Sequence, residues 1–577
     1  MRPRALLFVC LALGLLGLAA ASFRLRLSPV PVGDEATHVL MARSLWEEGD
    51  LVYDLGDLRG AYRIWNDGPA GVTLLTPDGG RSLLYAEPFA YALVSAPAWA
   101  LLGEAGLPVL NMVLFLAMAA SAAWLFREST GGVGLFLGGF FFASAAFGYV
   151  FRGSPEVFLM ACVFFALLLW RRVRERTTWD TAEIWSLVSA GALLGAACLH
   201  QPALGLLGAA VAVDLFLSGR WKGAAVMVLG GLLVFGLLSG QQRRMTGVWK
   251  PADPREGVQR RSFENEFPLE SPQDVWQAYG KDRGTSSDGL RLLPRNLGYL
   301  LAGRYTGLIP YFPFGVLALC LMARDRSRWL LLAAVVIIVL LGLLLDPHRW
   351  HGGQSALGNA RFAVLYPVLL FLPGRFAARR SLVLPYAAAG LWTAVAMAGA
   401  VVPPPPHAGE IPAFRALPVE LTLLGDGIQL PGYSARSWGQ GVWIVPRAAF
   451  WADEGHPNGV WVRGASTSDI VVVSPRPLKE VRFFVHSLTA DNEMVAESGS
   501  DRVLVRFDSE GKRNGAPVDL AVEPAASGLG LLPGTSGEWV YRFTLSVSDG
   551  IIPARHIPES RDPRYLGVFL DFNGRGL

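Results

Sequence analysis

The chain has 577 residues, 52% of them hydrophobic and only 17% charged, with a mean hydropathy of +0.37. That balance excludes an ordinary soluble protein and leaves room for several bilayer spans of ~20 residues. The net charge of +4 marks no nucleic-acid partner, and the cysteines, Cys10, Cys162, Cys198 and Cys320, lie in apolar runs without disulfide or metal spacing.

Met1-Arg2-Pro3-Arg4 precedes an apolar stretch from Ala5 to Phe23. It reads as an uncleaved signal anchor with a cytoplasmic start, which places the next residues outside. A cleaved signal peptide is the other reading, because Ala19 to Ser22 are small. Then comes Pro31-Val32-Gly33-Asp34-Glu35-Ala36-Thr37-His38. Two adjacent carboxylates open a pattern with apolar residues at Val39, Leu40, Ala42 and Leu45, the start of an amphipathic helix. Asp34 stands where an N-cap would.

Pro88–Gly103 is apolar but carries Pro88 and Pro97 and lacks basic flanks. Clearer spans follow at Leu107–Phe126, Val133–Phe151, Val157–Trp170, Ile184–Leu199, Ala203–Leu217, Ala224–Gly240, Thr306–Met322, Trp329–Leu345, Phe362–Pro373 and Val383–Val402. The basic connections are Arg127, Arg171–Arg176, Arg220–Lys222, Arg324–Arg328 and Arg375–Arg380. All of them fall on the cytoplasmic side together if Pro88–Gly103 lies in the interface, giving about eleven spans. Residues 24–106 and 241–305 are then long external loops. Arg152 with Glu156, His200-Gln201, residues 346–361 and everything after Val402 also face outward.

Pro403 to Pro406 form a stiff linker. Beyond it, short alternating segments such as Gly459–Arg463, Asp469–Val473, Glu480–Val485, Arg502–Phe507 and Trp539–Val547 read as strands. The expected fold is thus a polytopic α-helical membrane protein, residues 1–402, followed by the linker 403–407. A C-terminal extracytoplasmic β-sandwich, residues 408–577, completes it, jelly-roll-like.

Three places carry a resemblance. They are Gly33-Asp34-Glu35 with Met41–Leu45 and Gly49-Asp50-Leu51; Gly303-Arg304-Tyr305-Thr306-Gly307 running to Pro313; and Trp350-His351-Gly352-Gly353 with Gly358-Asn359-Ala360-Arg361-Phe362. In this order the chain resembles the membrane-embedded glycosyltransferases of the GT-C fold, across roughly the first 400 residues. That group includes protein mannosyltransferases, aminoarabinose transferases and arabinosyltransferases. The resemblance implies a polyprenyl-phosphate-linked sugar donor and inverting transfer. It implies a glycan, lipid or protein acceptor outside a bacterial-type inner membrane. It also implies Asp34 as the base and Glu35 as its partner. The sequence departs from the group at Ala36-Thr37-His38, where relatives often carry Pro-His-Tyr, so His38 bears on donor preference.

The residue chemistry agrees. Sugar transfer needs a base for the acceptor hydroxyl proton, which a carboxylate at the membrane surface supplies. Two adjacent acids also suit a hard divalent cation such as Mg²⁺ or Mn²⁺, with Asp34 and Glu35 as oxygen ligands. The leaving group is a phosphate, which calls for Arg or His. Arg361 and Arg304 stand at outer span ends, with snorkelling at the membrane edge as the competing reading. His348, Trp350, His351, Asn359 and Tyr305 are candidates for the sugar and phosphate. Glu87, Arg152 and Glu156 are placed near the same cavity, and Arg152 and Glu156 also suit each other as an ion pair. Two other classes fit part of the pattern: a transporter or lipid-carrier flippase, and a non-catalytic glycan-binding membrane protein whose β-domain is the working part.

Overall fold

A computed structural model describes residues 31–401 and 417–572. Outside the description lie 66–71, 77–81, 128–131, 176–179, 250–258, 264–288, 304–305, 348–349, 353–357, 374–379, 421–435, 438–442, 448–449, 453–458, 508–515, 527–538, 561–564 and the single positions 32, 248, 324, 419, 475 and 500. The expected N-terminal anchor, much of the loop 241–305, the linker, and Arg304, Tyr305 and His348 are therefore outside the described residues.

Helix α1 (Asp34–Glu47) begins at the acid pair. Its N-cap is Gly33, at φ 67°, and no side chain caps it. A left-handed residue at that point favours glycine. Asp34 is thus the first helical residue and not the cap, which corrects the N-cap reading. Ala36 to Ser44 are all buried, so α1 runs inside the protein and not along its surface. Helix α2 (Leu55–Trp65) and strands β1 (Val72–Thr76) and β2 (Leu84–Tyr85) follow. β1 pairs antiparallel with both β2 and β3 (Gln259–Phe263), so one small sheet ties the two long loops together.

Helices α3 (Ala90–Leu102) and α4 (Gly106–Leu125) meet at Gly103, φ 59°. A Cβ on Gly106 would lie 2.3 Å from the Ala98 carbonyl oxygen. In one straight helix those residues would be about 12 Å apart, so the chain doubles back here. Taken alone, α3 rises about 20 Å, short of a ~30 Å hydrocarbon core.

Next come α5 (Val133–Phe142), α6 (Glu156–Glu175), α7 (Thr181–His200), α8 (Gly205–Leu217), α9 (Trp221–Thr246), α10 (Gly289–Ala302), α11 (Pro313–Cys320), α12 (Arg326–Leu345), α13 (Ala360–Leu365) and α14 (Val383–Val401). Among the described residues, four stretches have the length and composition to cross a membrane: Ala90–Leu125, which the reversal at Gly103 splits into α3 and the 20-residue α4, and Thr181–His200, Trp221–Thr246 and Arg326–Leu345. The bent pair Val133–Phe142 and Ala145–Phe151 makes a fifth. Eleven is therefore still an expectation. The apolar runs are longer than the α-helices within them, because Ser144 and Phe312-Pro313 interrupt helical geometry and the α-helix becomes 3-10 at Tyr366. The molecule is a multi-pass, mostly helical membrane protein with a β-domain.

Helices α7 and α9 approach closely through glycines. A Cβ on Gly191 would lie 1.9 Å from the Met227 carbonyl oxygen, and one on Gly195 2.3 Å from that of Gly231. Small residues one turn apart let membrane helices touch backbone to backbone. Gly191→Ala should therefore cost about 1–3 kcal/mol by overpacking, read as a lower melting temperature of the purified protein. An unchanged midpoint would mean the helices separate freely.

At the far end of α6, Arg174 Nε lies 3.2 Å from Asp214 on α8 and Nη1 3.2 Å from Asp325, the N-cap of α12. Arg220 donates to the Val173 carbonyl. Three of the basic connections thus gather in one cluster. Glu156 starts the same helix, whose 20 residues span about 30 Å. If basic connections face the cytoplasm, a membrane-impermeant maleimide should label Arg59→Cys from outside intact cells and leave Arg172→Cys unlabelled, both in a cysteine-free background. Labelling at position 172 would overturn that orientation.

The β-domain holds strands β4 (Arg436–Ser437), β5 (Trp443–Arg447), β6 (Phe450–Ala452), β7 (Gly459–Arg463), β8 (Ser466–Ser474), β9 (Glu480–Ser487), β10 (Glu493–Ser498), β11 (Asp501–Arg506), β12 (Ala516–Ala521), β13 (Pro524–Ala526), β14 (Trp539–Val547) and β15 (Leu566–Asp571). They form two antiparallel sheets, in strand order β11-β10-β14-β8-β5-β4, with β13 also on β14, and β12-β9-β15-β7-β6. Strand β9 (Glu480–Ser487) alternates strictly, burying Val481, Phe483 and Val485, as a half-buried strand must. Phe483 stacks on Phe543 of β14 (Trp539–Val547) at 5.6 Å, joining the sheets as a sandwich. Trp461 on β7 (Gly459–Arg463) is 7% exposed and belongs to the apolar cluster of the helical part, so it is packed and not displayed.

Candidate functional site

The first turn of α1 is held against residues 152–156. Glu35 Oε1 accepts a 2.7 Å hydrogen bond from the Gly153 amide. A Cβ at Gly153 would meet Val39 Cγ2 at 3.0 Å and Glu35 Cγ at 3.4 Å, so glycine lets that loop close on the helix. The loop is fixed from the other side by Asn111 on α4, whose Nδ2 donates to the carbonyls of Arg152 (2.8 Å) and Ser154 (3.2 Å). Asn111 Oδ1 in turn accepts from the Tyr91 hydroxyl at 3.3 Å.

Asp34 is exposed, and its charge is felt at Glu156, the first residue of α6. Glu156 Oε2 is buried without a hydrogen-bond partner. The Arg152 guanidinium lies 5.7 Å over the Tyr149 ring. The structure therefore brings Asp34, Glu35, Arg152 and Glu156 together. His38 is different. It is 1% exposed, edge-on to Tyr91 at 5.5 Å and 6.2 Å from His200. Its place is the buried contact of α1 with α3 and α7. Glu87 is half-buried between β2 and α3.

The third motif forms a second cluster. Trp350 and His351 are buried. The His351 carbonyl accepts from the amides of Ala360 (2.8 Å) and Arg361 (3.4 Å). Asn359 caps α13, its Oδ1 accepting from the Phe362 amide at 2.9 Å. Arg361 Nη2 donates to Asp346 Oδ2 at 2.6 Å.

Gly358 joins the clusters. At φ 67°, it packs so that a Cβ would touch Tyr311 at 3.1 Å and Ala145 at 3.4 Å. Tyr311 belongs to the second motif, and Phe312 beside it meets Phe362 at 5.3 Å. Helix α13 also packs on α6. Residues 145–156 therefore link the first motif, through Gly153 and Glu35, to the third, through Ala145 and Gly358, and Tyr311 of the second motif packs on Gly358. Within the second motif, Thr306 donates from its amide (2.8 Å) and hydroxyl (2.9 Å) to the buried Glu420, beyond the linker.

Sequence reasoning missed Tyr91, Asn111, Asp346 and Glu420. Asn111 alone left a signal, a carboxamide inside an apolar run. Among the described residues, the group of three or more His, Cys, Asp or Glu ligand atoms within 4.8 Å is Glu48, Asp54 and Asp57. Burial, then the charge of Glu48, pushes the Asp57 carboxyl up to about 7.

No protein-family model and no curated protein matches the chain. Two solved structures are similar to it, both of ArnT from Cupriavidus metallidurans. The one bound to undecaprenyl phosphate has 15% identity over 68% of this chain and 63% of that chain, with a TM-score of 0.40. The apo structure has 15% identity over the same shares, 68% and 63%, with a TM-score of 0.37. This chain thus spans just under two thirds of the ArnT chain, at 63%.

Proposed function

We propose that this protein is a membrane glycosyltransferase that moves a sugar from a polyprenyl-phosphate donor to an extracytoplasmic glycan, lipid or protein acceptor, with inversion. The supporting observation is that residues 145–156 contact Glu35 of the first motif and Gly358 of the third, on which Tyr311 of the second packs, with the exposed Asp34 carboxylate on one flank. In this reading Asp34 takes the proton of the acceptor hydroxyl. The oxygen attacks the anomeric carbon, and the bond from that carbon to the phosphate oxygen breaks. The phosphate leaves with the electron pair, and Arg361, with Arg304, answers its charge. Glu35, held by the Gly153 amide, sets the position of Asp34. Charged groups sit at the two ends of α6, not along its middle, which favours chemistry at the surface over a transport pathway.

The test is purified protein incubated with a panel of labelled polyprenyl-phosphate sugars and cell-envelope acceptors. Transfer from at least one donor is expected. Folded protein inactive with every donor would refute the reading.

A further inference from the structure

One contact crosses the proline linker and lands inside the second motif. Glu420 Oε1 accepts from the Thr306 amide at 2.8 Å and from the Thr306 hydroxyl at 2.9 Å. Both residues are buried. Gly303 makes room for that oxygen, since a Cβ there would lie 2.2 Å from Glu420 Oε1. Burying a carboxyl group costs free energy unless its oxygens are bonded, and apolar contact alone would hold two domains together without it. Such contact is present as well. Leu417 packs on the apolar cluster of the helical part, and Trp461, Leu566 and Phe569 of the sandwich belong to the same cluster.

From Thr306 the chain leads straight to the third motif. The Gly307 amide donates to the Gly303 carbonyl at 3.0 Å, and the Tyr311 amide to the Gly307 carbonyl at 3.2 Å. Leu308–Tyr311 is a single helical turn. Tyr311 packs on Gly358, where a Cβ would lie 3.1 Å from it, and Phe312 meets Phe362 at 5.3 Å. Gly358 and Phe362 flank Arg361 in the chain. Glu420 and Arg361 are thus joined by a continuous series of hydrogen-bonded and packed groups.

We propose that Glu420 is a positioning residue of the transfer site, supplied from beyond the linker, which holds Gly303 and Thr306 and through Tyr311 and Gly358 sets Arg361 against the donor phosphate. The segment that leads into the β-domain is then a working part of the site and not a tether. This rests on the glycosyltransferase reading, in which Arg361 answers the charge of the leaving phosphate. Glu420 touches no reacting atom. It acts by keeping the packed series in one arrangement, and a guanidinium displaced by a fraction of an ångström loses much of its worth to the transition state.

The experiment is a double-mutant cycle on kcat/KM for sugar transfer by the purified full-length protein. Glu420→Ala should lower kcat/KM by about tenfold, the worth of roughly one buried hydrogen bond. Glu420→Gln should recover most of it, because the amide oxygen still accepts both bonds. Added to Arg361→Ala, Glu420→Ala should cost less than about threefold more, because residues that act through one group are not additive. If Glu420→Ala does not fold, Thr306→Val, which removes one of the two bonds at nearly constant size, carries the same cycle with a smaller loss. Wild-type kcat/KM in the folded Glu420 or Thr306 variant would overturn the inference. So would a loss that multiplies in full with that of Arg361→Ala, which would leave Glu420 a domain anchor only. Both outcomes need an active wild type, so they leave the glycosyltransferase reading standing. A wild type inactive with every donor would instead end that reading, and this inference with it.

Discussion

Asp34→Asn should lower sugar transfer by roughly 10²–10⁴-fold, the usual worth of a general base, while leaving the fold in place. Asp34 is an exposed first-turn residue and Gly33 holds the cap position, with no side-chain cap bond to lose. The meeting of a carboxylate with a helix N-terminus contributes about 0.3–1 kcal/mol. That is small beside the ~3–5 kcal/mol expected in the barrier. Glu35→Gln should be milder on chemistry, because an amide oxygen still accepts from the Gly153 amide. A near-normal rate in folded Asp34→Asn protein would remove the base from the mechanism.

Arg361→Ala should cost about 2–4 kcal/mol in transition-state stabilisation, roughly 30- to 1000-fold in rate. Its pair with Asp346 leaves 39% and 35% of the two side chains exposed. Such a pair contributes ~0–1 kcal/mol to folding, so the melting temperature should barely move. Asp346 instead aims the guanidinium, at 2.6 Å. Arg361→Lys should recover only part of the rate, since a point charge lacks the planar fork. Asp346→Asn should fall between wild type and Arg361→Ala. Wild-type turnover in Arg361→Ala would reduce this arginine to a membrane-edge anchor.

The β-sandwich was legible because strand alternation is written locally, as in Val481, Phe483 and Val485. The acid pair at the head of α1 was legible because the apolar period begins just after it. The cap was misread because the residue that takes the left-handed conformation is Gly33, one place earlier. Span counting followed apolar composition, which does not register the breaks at Ser144 and Phe312-Pro313 or the change to 3-10 helix at Tyr366. Arg361 was found by its glycine-rich setting, but its partner Asp346 is fifteen positions away and joined to it only by the fold. The Tyr91–Asn111 support under residues 152–154 depends on the reversal at Gly103. Glu48, Asp54 and Asp57 likewise meet only once α1 turns into α2.

Direct displacement by an Asp34-activated hydroxyl is tested most directly by the anomeric configuration of the product. Glu35 and Glu156 lie beside Asp34, so a covalent route through a second carboxylate is a real chemical alternative, and it retains configuration. NMR of the transferred sugar, against a donor of known configuration, distinguishes the two. Inversion is the predicted result. Retention would contradict one-step transfer with Asp34 as base.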